Sequence, residues 1–194
     1  MNLFIDTNVL LSFYHLSSDD LEELRKLVVL MDQDKVKLLL PVQVIDEFRR
    51  NRDSKISDAI RRFTEEKLNR QFPQICKEYE EYRVMQEAIT RYLEAQSIIV
   101  EKLYQNFYNQ TFIADTIIND LFRKADRIEV TDEIFTKAKR RQELGNPPGK
   151  NGFGDAINWE CLLETVSNEE DLFFISDDKD YHALCNKDLF LPFL

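Results

Sequence analysis

Three apolar residues, Leu3-Phe4-Ile5, are cut off by a carboxylate, Asp6, and the polar pair Thr7-Asn8 separates them from a second apolar run, Val9-Leu10-Leu11. So short a run reads as a buried strand, and the acid at its end marks a turn into a helix. In open α/β sheets ligands bind beyond the carboxyl ends of the strands, where Asp6 would stand. The plain alternative is that Asp6 or Asn8 simply caps the helix.

The next stretches repeat the pattern. Asp19 or Asp20 opens a helix through Leu21, Leu24, Leu27, Val28 and Met31, which recur at three- and four-residue spacing. Val36 to Leu40 reads as a second buried strand ended by Pro41. The helix that follows carries Val44, Ile45 and Phe48 inward, with Glu47 between them. Strand, helix and strand in succession predict a parallel sheet and an α/β fold.

From Ser54 the character changes. Neither glycine nor proline falls between Pro73 and Gly145, so nothing forces a break. Tyr82, Met85, Ile89, Leu93, Ile99, Leu103 and Phe107 trace one face of a long helix, and the stripe reads as packing rather than a cofactor box. We expect one domain over 1–194 with a helical insertion at 54–125. Ile128-Glu129-Val130 reads as a short strand, and Thr131 or Asp132 as the cap of a helix over Glu133–Gln142. All four glycines lie between Gly145 and Gly154, just before the helix that Asp155 begins. Leu172-Phe173-Phe174-Ile175 is the clearest buried strand and runs into Ser176-Asp177-Asp178-Lys179-Asp180. Leu189–Phe193 reads as a final edge strand, because Pro192 cannot donate to an interior ladder.

Composition narrows the function. The 194 residues are 43% hydrophobic and 32% charged, as in ordinary globular proteins. A net charge of −10 excludes a broad basic footprint for nucleic acid, though not a local basic patch around a metal. The three cysteines, Cys76, Cys161 and Cys185, lack metal-knuckle spacing and point to reduced thiols. With no apolar run of membrane length and no signal-peptide pattern, a cytoplasmic location is expected.

Asp6, Glu47, Asp155 and the cluster Asp177, Asp178 and Asp180 each follow a strand or open a helix, so a parallel sheet could bring them to one end. Singly, each has an ordinary reading: Asp155 as an N-cap, Glu47 on a solvated helix face, the late acids as turn residues. Together they would repel. Two carboxylates ~5 Å apart at an effective dielectric near ~20 repel by roughly 3 kcal/mol. A cation would relieve this, and all-oxygen ligands favour Mg²⁺ or Mn²⁺ over zinc. The two histidines, His15 and His182, are too scattered for a zinc site. Acid-held divalent ions suit phosphodiester hydrolysis.

Phe4-Ile5-Asp6-Thr7-Asn8-Val9-Leu10, Asp46-Glu47-Phe48-Arg49, Gly154-Asp155-Ala156-Ile157 and Ile175-Ser176-Asp177-Asp178-Lys179-Asp180-Tyr181 resemble, in order and spacing, the motifs of PIN-domain nucleases. The resemblance covers about 1–52 and 126–194, and the loop Gly145–Lys150 looks like that of a bacterial PIN-like subgroup. It implies a three-layer α/β/α fold and an endoribonuclease using Mg²⁺ or Mn²⁺ and a metal-activated water. Asp6, Glu47, Asp155 and Asp178 would be the four acids, with Asp177 and Asp180 as helpers or replacements. Asn8 would orient the first acid or a water, with Thr7 and Ser176 as further polar groups. The helical middle departs from the short toxin-type members.

Arg49, Arg50 and Arg52, then Lys137, Lys139, Arg140 and Arg141, with Lys150, could line a phosphate path; each group is as readily a solvated basic face. Tyr104, Phe107 and Tyr108 could stack bases, although packing explains them better. RNA is the expected partner, and the sequence leaves open DNA, a homodimer, an antitoxin or another protein. Two nuclease readings therefore stand, on RNA or on structured DNA, beside a non-catalytic PIN-fold binding module and a phosphotransfer domain. The last fits poorly, since position 8 is Asn where a phosphatase needs a second Asp.

Overall fold

In the computed structural model, Asn2–Ile5 forms strand β1, with Leu3, Phe4 and Ile5 all buried. Residues 1–15, 18–66, 68, 71–149, 152–167, 169–178, 182–183 and 186–190 are described, with 18–20, 182–183 and 186–190 as backbone only. Helices α1 (Thr7–Ser12) and α2 (Ser18–Asp32) lead to β2 (Lys37–Pro41) and α3 (Val42–Glu65). Helix α4 (Glu80–Asn109) and α5 (Ile113–Lys124) precede β3 (Asp126–Ile128), α6 (Asp132–Glu143), α7 (Phe153–Thr165) and β4 (Leu172–Ile175).

These strands make one parallel sheet in the order β3-β2-β1-β4. Ile5 is in register with Ile175, so β1 and β4 end together, and Asp6 and Ser176 leave the sheet side by side. The main core joins the strands to Leu10, Leu11, Leu24, Val44, Phe48 and Leu162, and Phe4 lies against Phe174 with ring centroids 4.6 Å apart. This is the α/β architecture the sequence predicts. Short β5 (His182–Ala183) and β6 (Asn186–Phe190) form a separate antiparallel pair. The expected strand Leu189–Phe193 thus begins earlier, and Pro192 lies outside the described residues.

The chain divides into two compact units, residues 1–52 with 113–194, and residues 53–112. The insertion therefore ends at Phe112 and not at 125. Helix α5 belongs to the α/β unit because Ala114, Ile117, Ile118, Leu121 and Phe122 are buried in its core, with Phe122 edge-on to Phe48 at 5.4 Å. Its amphipathic pattern looks the same in sequence as that of an insertion helix.

In the second unit Ile56 and Ile60 of α3 are buried, and Gln96 Nε2 of α4 donates to the Phe63 carbonyl at 2.8 Å. No residue of α4 is fully buried. Its half-buried stripe is Tyr82, Gln86, Ile89, Leu93, Gln96, Val100, Leu103 and Phe107, at strict four-three spacing. Met85 and Ile99, expected inward, are instead 42% and 45% exposed, because the glutamines occupy the packing line. Tyr104 and Tyr108 are exposed as well, so core packing does not account for them. Among the described residues no helix is long and apolar enough to cross a membrane.

Candidate active site

Asp6 follows directly on β1, and its backbone N–H donates to the Ile175 carbonyl at 2.9 Å. It stands at the N-cap position of α1 but caps nothing with its side chain. The carboxylate turns across the sheet, where Ser176 Oγ donates to its Oδ2 at 2.8 Å. The Ser176 oxygen in turn accepts the Asp178 backbone N–H at 2.9 Å. One hydroxyl thus ties the first acid to the turn carrying the last ones.

A carboxylate only 2% exposed is expensive to keep charged. Burial is the main cause that raises the Asp6 pKa. The Ser176 hydroxyl and the Thr7 backbone oppose the rise, while the charges of Asp178 and Asp177 add to it. Glu47, half-buried on α3, is raised too, first by burial and then by the charge on Asp6. Arg50, Thr7 and Gln43 pull it back. Thr7 Oγ1, buried beside Glu47, favours the charged carboxylate without forming a well-aligned hydrogen bond to any described residue.

The glycine-rich loop packs back on the helix that carries the third acid. Gly149 has φ +108°, and a Cβ there would lie 2.6 Å from Ala156 Cβ, so the loop backbone rests on the first turns of α7 as only glycine allows. A Cβ on Gly154 would lie 2.8 Å from Gln43 Nε2 and 3.3 Å from Glu47 Oε2. The start of α7 therefore abuts the Glu47 side chain, and Asp155 is the next residue. Gly152, not Asp155, is the N-cap, and Asp155 lies in the first turn, where the helix dipole favours a negative charge.

A family model described as a PIN domain matches residues 3–181, a span that takes in all four acids and the insertion. The chain belongs to the PIN-domain family. No curated protein and no solved structure matches it. PIN domains are in general nucleases, and the resemblance carried by the four motifs agrees with the match.

Among the described residues of this PIN domain, no three acids, histidines or cysteines are grouped closely enough to hold a metal ion. The donor chemistry nevertheless fits a hard cation. Asp6 and Glu47 are mutually repelling carboxylates, and Mg²⁺ is commonly held by one or two carboxylates with water filling the other positions.

The basic residues of the PIN domain divide sharply. Arg49, Arg50 and Arg140 are exposed, and Arg50 lies close enough to Glu47 to act on its charge. Arg52 is no phosphate ligand. It is buried, donating through Nε and Nη2 to Asp115 at 2.7 Å each, and Tyr14 Oη donates to the same carboxylate at 2.6 Å. Arg141 is likewise committed, through Nε to Glu160 at 2.6 Å and through Nη1 to the Pro147 carbonyl at 2.9 Å, which anchors the glycine-rich loop. Both side chains found partners far along the chain, which spacing cannot reveal. Lys137 pairs with Glu133 and Glu164. Asn8 is exposed in α1, Asp177 is exposed, and Ser176 and Asp178 are half-buried. Lys150 and Asp180 lie outside the described residues.

Gln43 was missed from sequence. It precedes Glu47 by one helical turn, a spacing that puts both on one face, and that relation was the available signal.

Proposed function

We propose that this PIN domain is a divalent-metal-dependent endoribonuclease. The observation that carries the reading is the environment of Asp6: a buried carboxylate, fixed by Ser176 and within reach of the charges on Glu47, Asp177 and Asp178. A binding module gains nothing from burying a carboxylate among like charges, whereas a cation site requires it.

Asp6 and Glu47 would hold the ion, with Asp155 and Asp178 as further ligands. When bound, a divalent cation supplies positive charge to the phosphate in the transition state and lowers the pKa of water. Around that centre the chain's own residues have separable tasks. Ser176 sets the direction of the Asp6 carboxylate, Gln43 and Thr7 steady Glu47, and Gly154 lets α7 approach. Exposed Arg49 and Arg50 meet the RNA backbone beside Glu47 and place the scissile phosphate. No covalent intermediate is invoked, because water is the nucleophile.

The test is incubation of the full chain with single-stranded RNA, duplex RNA, single-stranded DNA and flap DNA, in Mn²⁺ and in chelator, beside Asp6→Asn. Mn²⁺-dependent internal cleavage of RNA, lost in the variant, is the expected result. Cleavage of flap DNA alone would move the assignment to a structure-specific DNA nuclease. No cleavage of any substrate would leave the binding module.

A further inference from the structure

Helix α7 keeps a primary amide where an amide is costly. Asn158 is 0% exposed, and among the described residues neither its Oδ1 nor its Nδ2 has a hydrogen-bond partner. Ala156, Ile157, Trp159, Cys161 and Leu162 around it are buried and apolar or weakly polar. The other buried polar side chain nearby, Glu160, is satisfied by Arg141. An amide buried without partners forfeits the hydrogen bonds it makes to water in the unfolded chain. A leucine would fill the same space without that loss.

Position explains what the amide is for. The helical period puts Asn158 on the face it shares with Asp155, three residues back, and with Leu162, four residues on, whose side chain belongs to the sheet core. Cα–Cβ bonds tilt toward a helix N-terminus, so the amide leans back over the turn that carries Asp155. A second buried polar atom without a well-formed bond, Thr7 Oγ1, occupies the residue after Asp6. The unsatisfied amide thus stands one turn from Asp155, and the Thr7 hydroxyl that favours the Glu47 charge directly follows Asp6, at the carboxyl end of the sheet.

We propose that Asn158 is a positioning residue of the acidic site, its amide holding ordered water that fixes the Asp155 carboxylate. A carboxamide suits the task because it offers both a donor and an acceptor, and bridging water carries such a link at little enthalpic loss. Asn158 touches neither substrate nor cation. The inference rests on the nuclease reading for what the fixed carboxylate achieves, and on the buried amide alone for the bridge itself.

Asn158→Leu and Asn158→Ser distinguish the outcomes, compared with wild type by melting temperature in chelator, by Mn²⁺ affinity from the free-ion electron paramagnetic resonance signal, and by kcat and KM on RNA. We expect Asn158→Leu to gain no stability in chelator. Its Mn²⁺ affinity and kcat fall by roughly 10–100-fold with KM within about twofold, and the serine, which still holds water, restores most of the loss. A leucine variant melting about 2–4 °C or more above wild type would overturn the proposal, since the amide would then be merely unsatisfied. Unchanged Mn²⁺ affinity and kcat would overturn it equally. A wild type that binds Mn²⁺ more tightly than the leucine variant yet cleaves nothing would remove the nuclease reading and keep the positioning role. If wild type neither binds Mn²⁺ nor cleaves, the sign of the melting shift decides alone: no gain supports the bridge, a gain refutes it.

Discussion

Replacing Asp6 with Asn should make the metal-free protein more stable while abolishing its metal response. The Asp6 carboxyl is raised above its ordinary value by burial and, secondarily, by Asp178 and Asp177, and its own charge helps raise Glu47. A carboxyl that binds its proton more tightly folded than unfolded makes the unfolded state the less protonated one. Stability therefore falls as pH climbs from the ordinary aspartate value through the raised one. Above that window the folded chain carries the full cost of the buried charge. One carboxylate pair at ~5 Å and an effective dielectric of ~20 repels by about 3 kcal/mol. Glu47 is only half-buried, so solvent screening reduces this, and the Ser176 bond offsets part of the rest. An asparagine oxygen still accepts from Ser176, so the geometry survives the substitution. A net gain of roughly 1–2 kcal/mol follows, which for a chain of this size is about 2–8 °C in melting temperature. The assay is thermal unfolding of wild type and Asp6→Asn from about pH 5 to pH 8 in chelator, then with Mn²⁺. The difference should widen with rising pH and reverse on adding Mn²⁺, which stabilises only the form that binds it. If Asp6→Asn melts at or below wild type at the alkaline end in chelator, the charge-crowding account is wrong.

Arg52→Met leaves the Asp115 charge in the core without its guanidinium counter-charge, so denaturant titration should show a loss of about 3–5 kcal/mol that Arg52→Met/Asp115→Leu largely recovers; a stable single variant with weakened RNA affinity would return Arg52 to the phosphate path. Gly154→Ala drives a methyl against Gln43 Nε2 and Glu47 Oε2. Because the first is the flexible end of a side chain, unfolding should change by only ~1 kcal/mol while kcat drops by up to ~100-fold from the misplaced carboxylate; equal activity in the two proteins would contradict the placement of Glu47. Arg49→Ala/Arg50→Ala should weaken RNA binding and lower the slope of log affinity against log salt by about 0.7 for each phosphate no longer neutralised, measured by fluorescence anisotropy; an unaltered slope would leave both arginines as solvated surface.

Local chemistry made much of this legible. The strands β1, β2 and β4 were readable because each is a short apolar run with a polar stop, and α4 because nothing in it can break a helix. The cap was legible as well: Thr131 Oγ1 accepts the Ile134 N–H at 3.2 Å, as the Thr-Asp step before an amphipathic run predicts. Elsewhere similar signals concealed different fates. Arg49, Arg50 and Arg52 look like one basic patch, yet one of them is buried against an acid 63 positions away. Met85 and Ile99 look like core residues, yet two glutamines hold the packing line beside them.

What the sequence determined by itself, then, is the periodic part: which segments become strands and helices, and that acids stand where strands end. Tertiary structure alone decided which of those acids feel one another's charge, which arginines are spent on ion pairs, and where the inserted helices stop. The division is physical. Apolar periodicity and capping act within a few residues, whereas the partner that neutralises or raises a buried charge is chosen by packing across the whole chain.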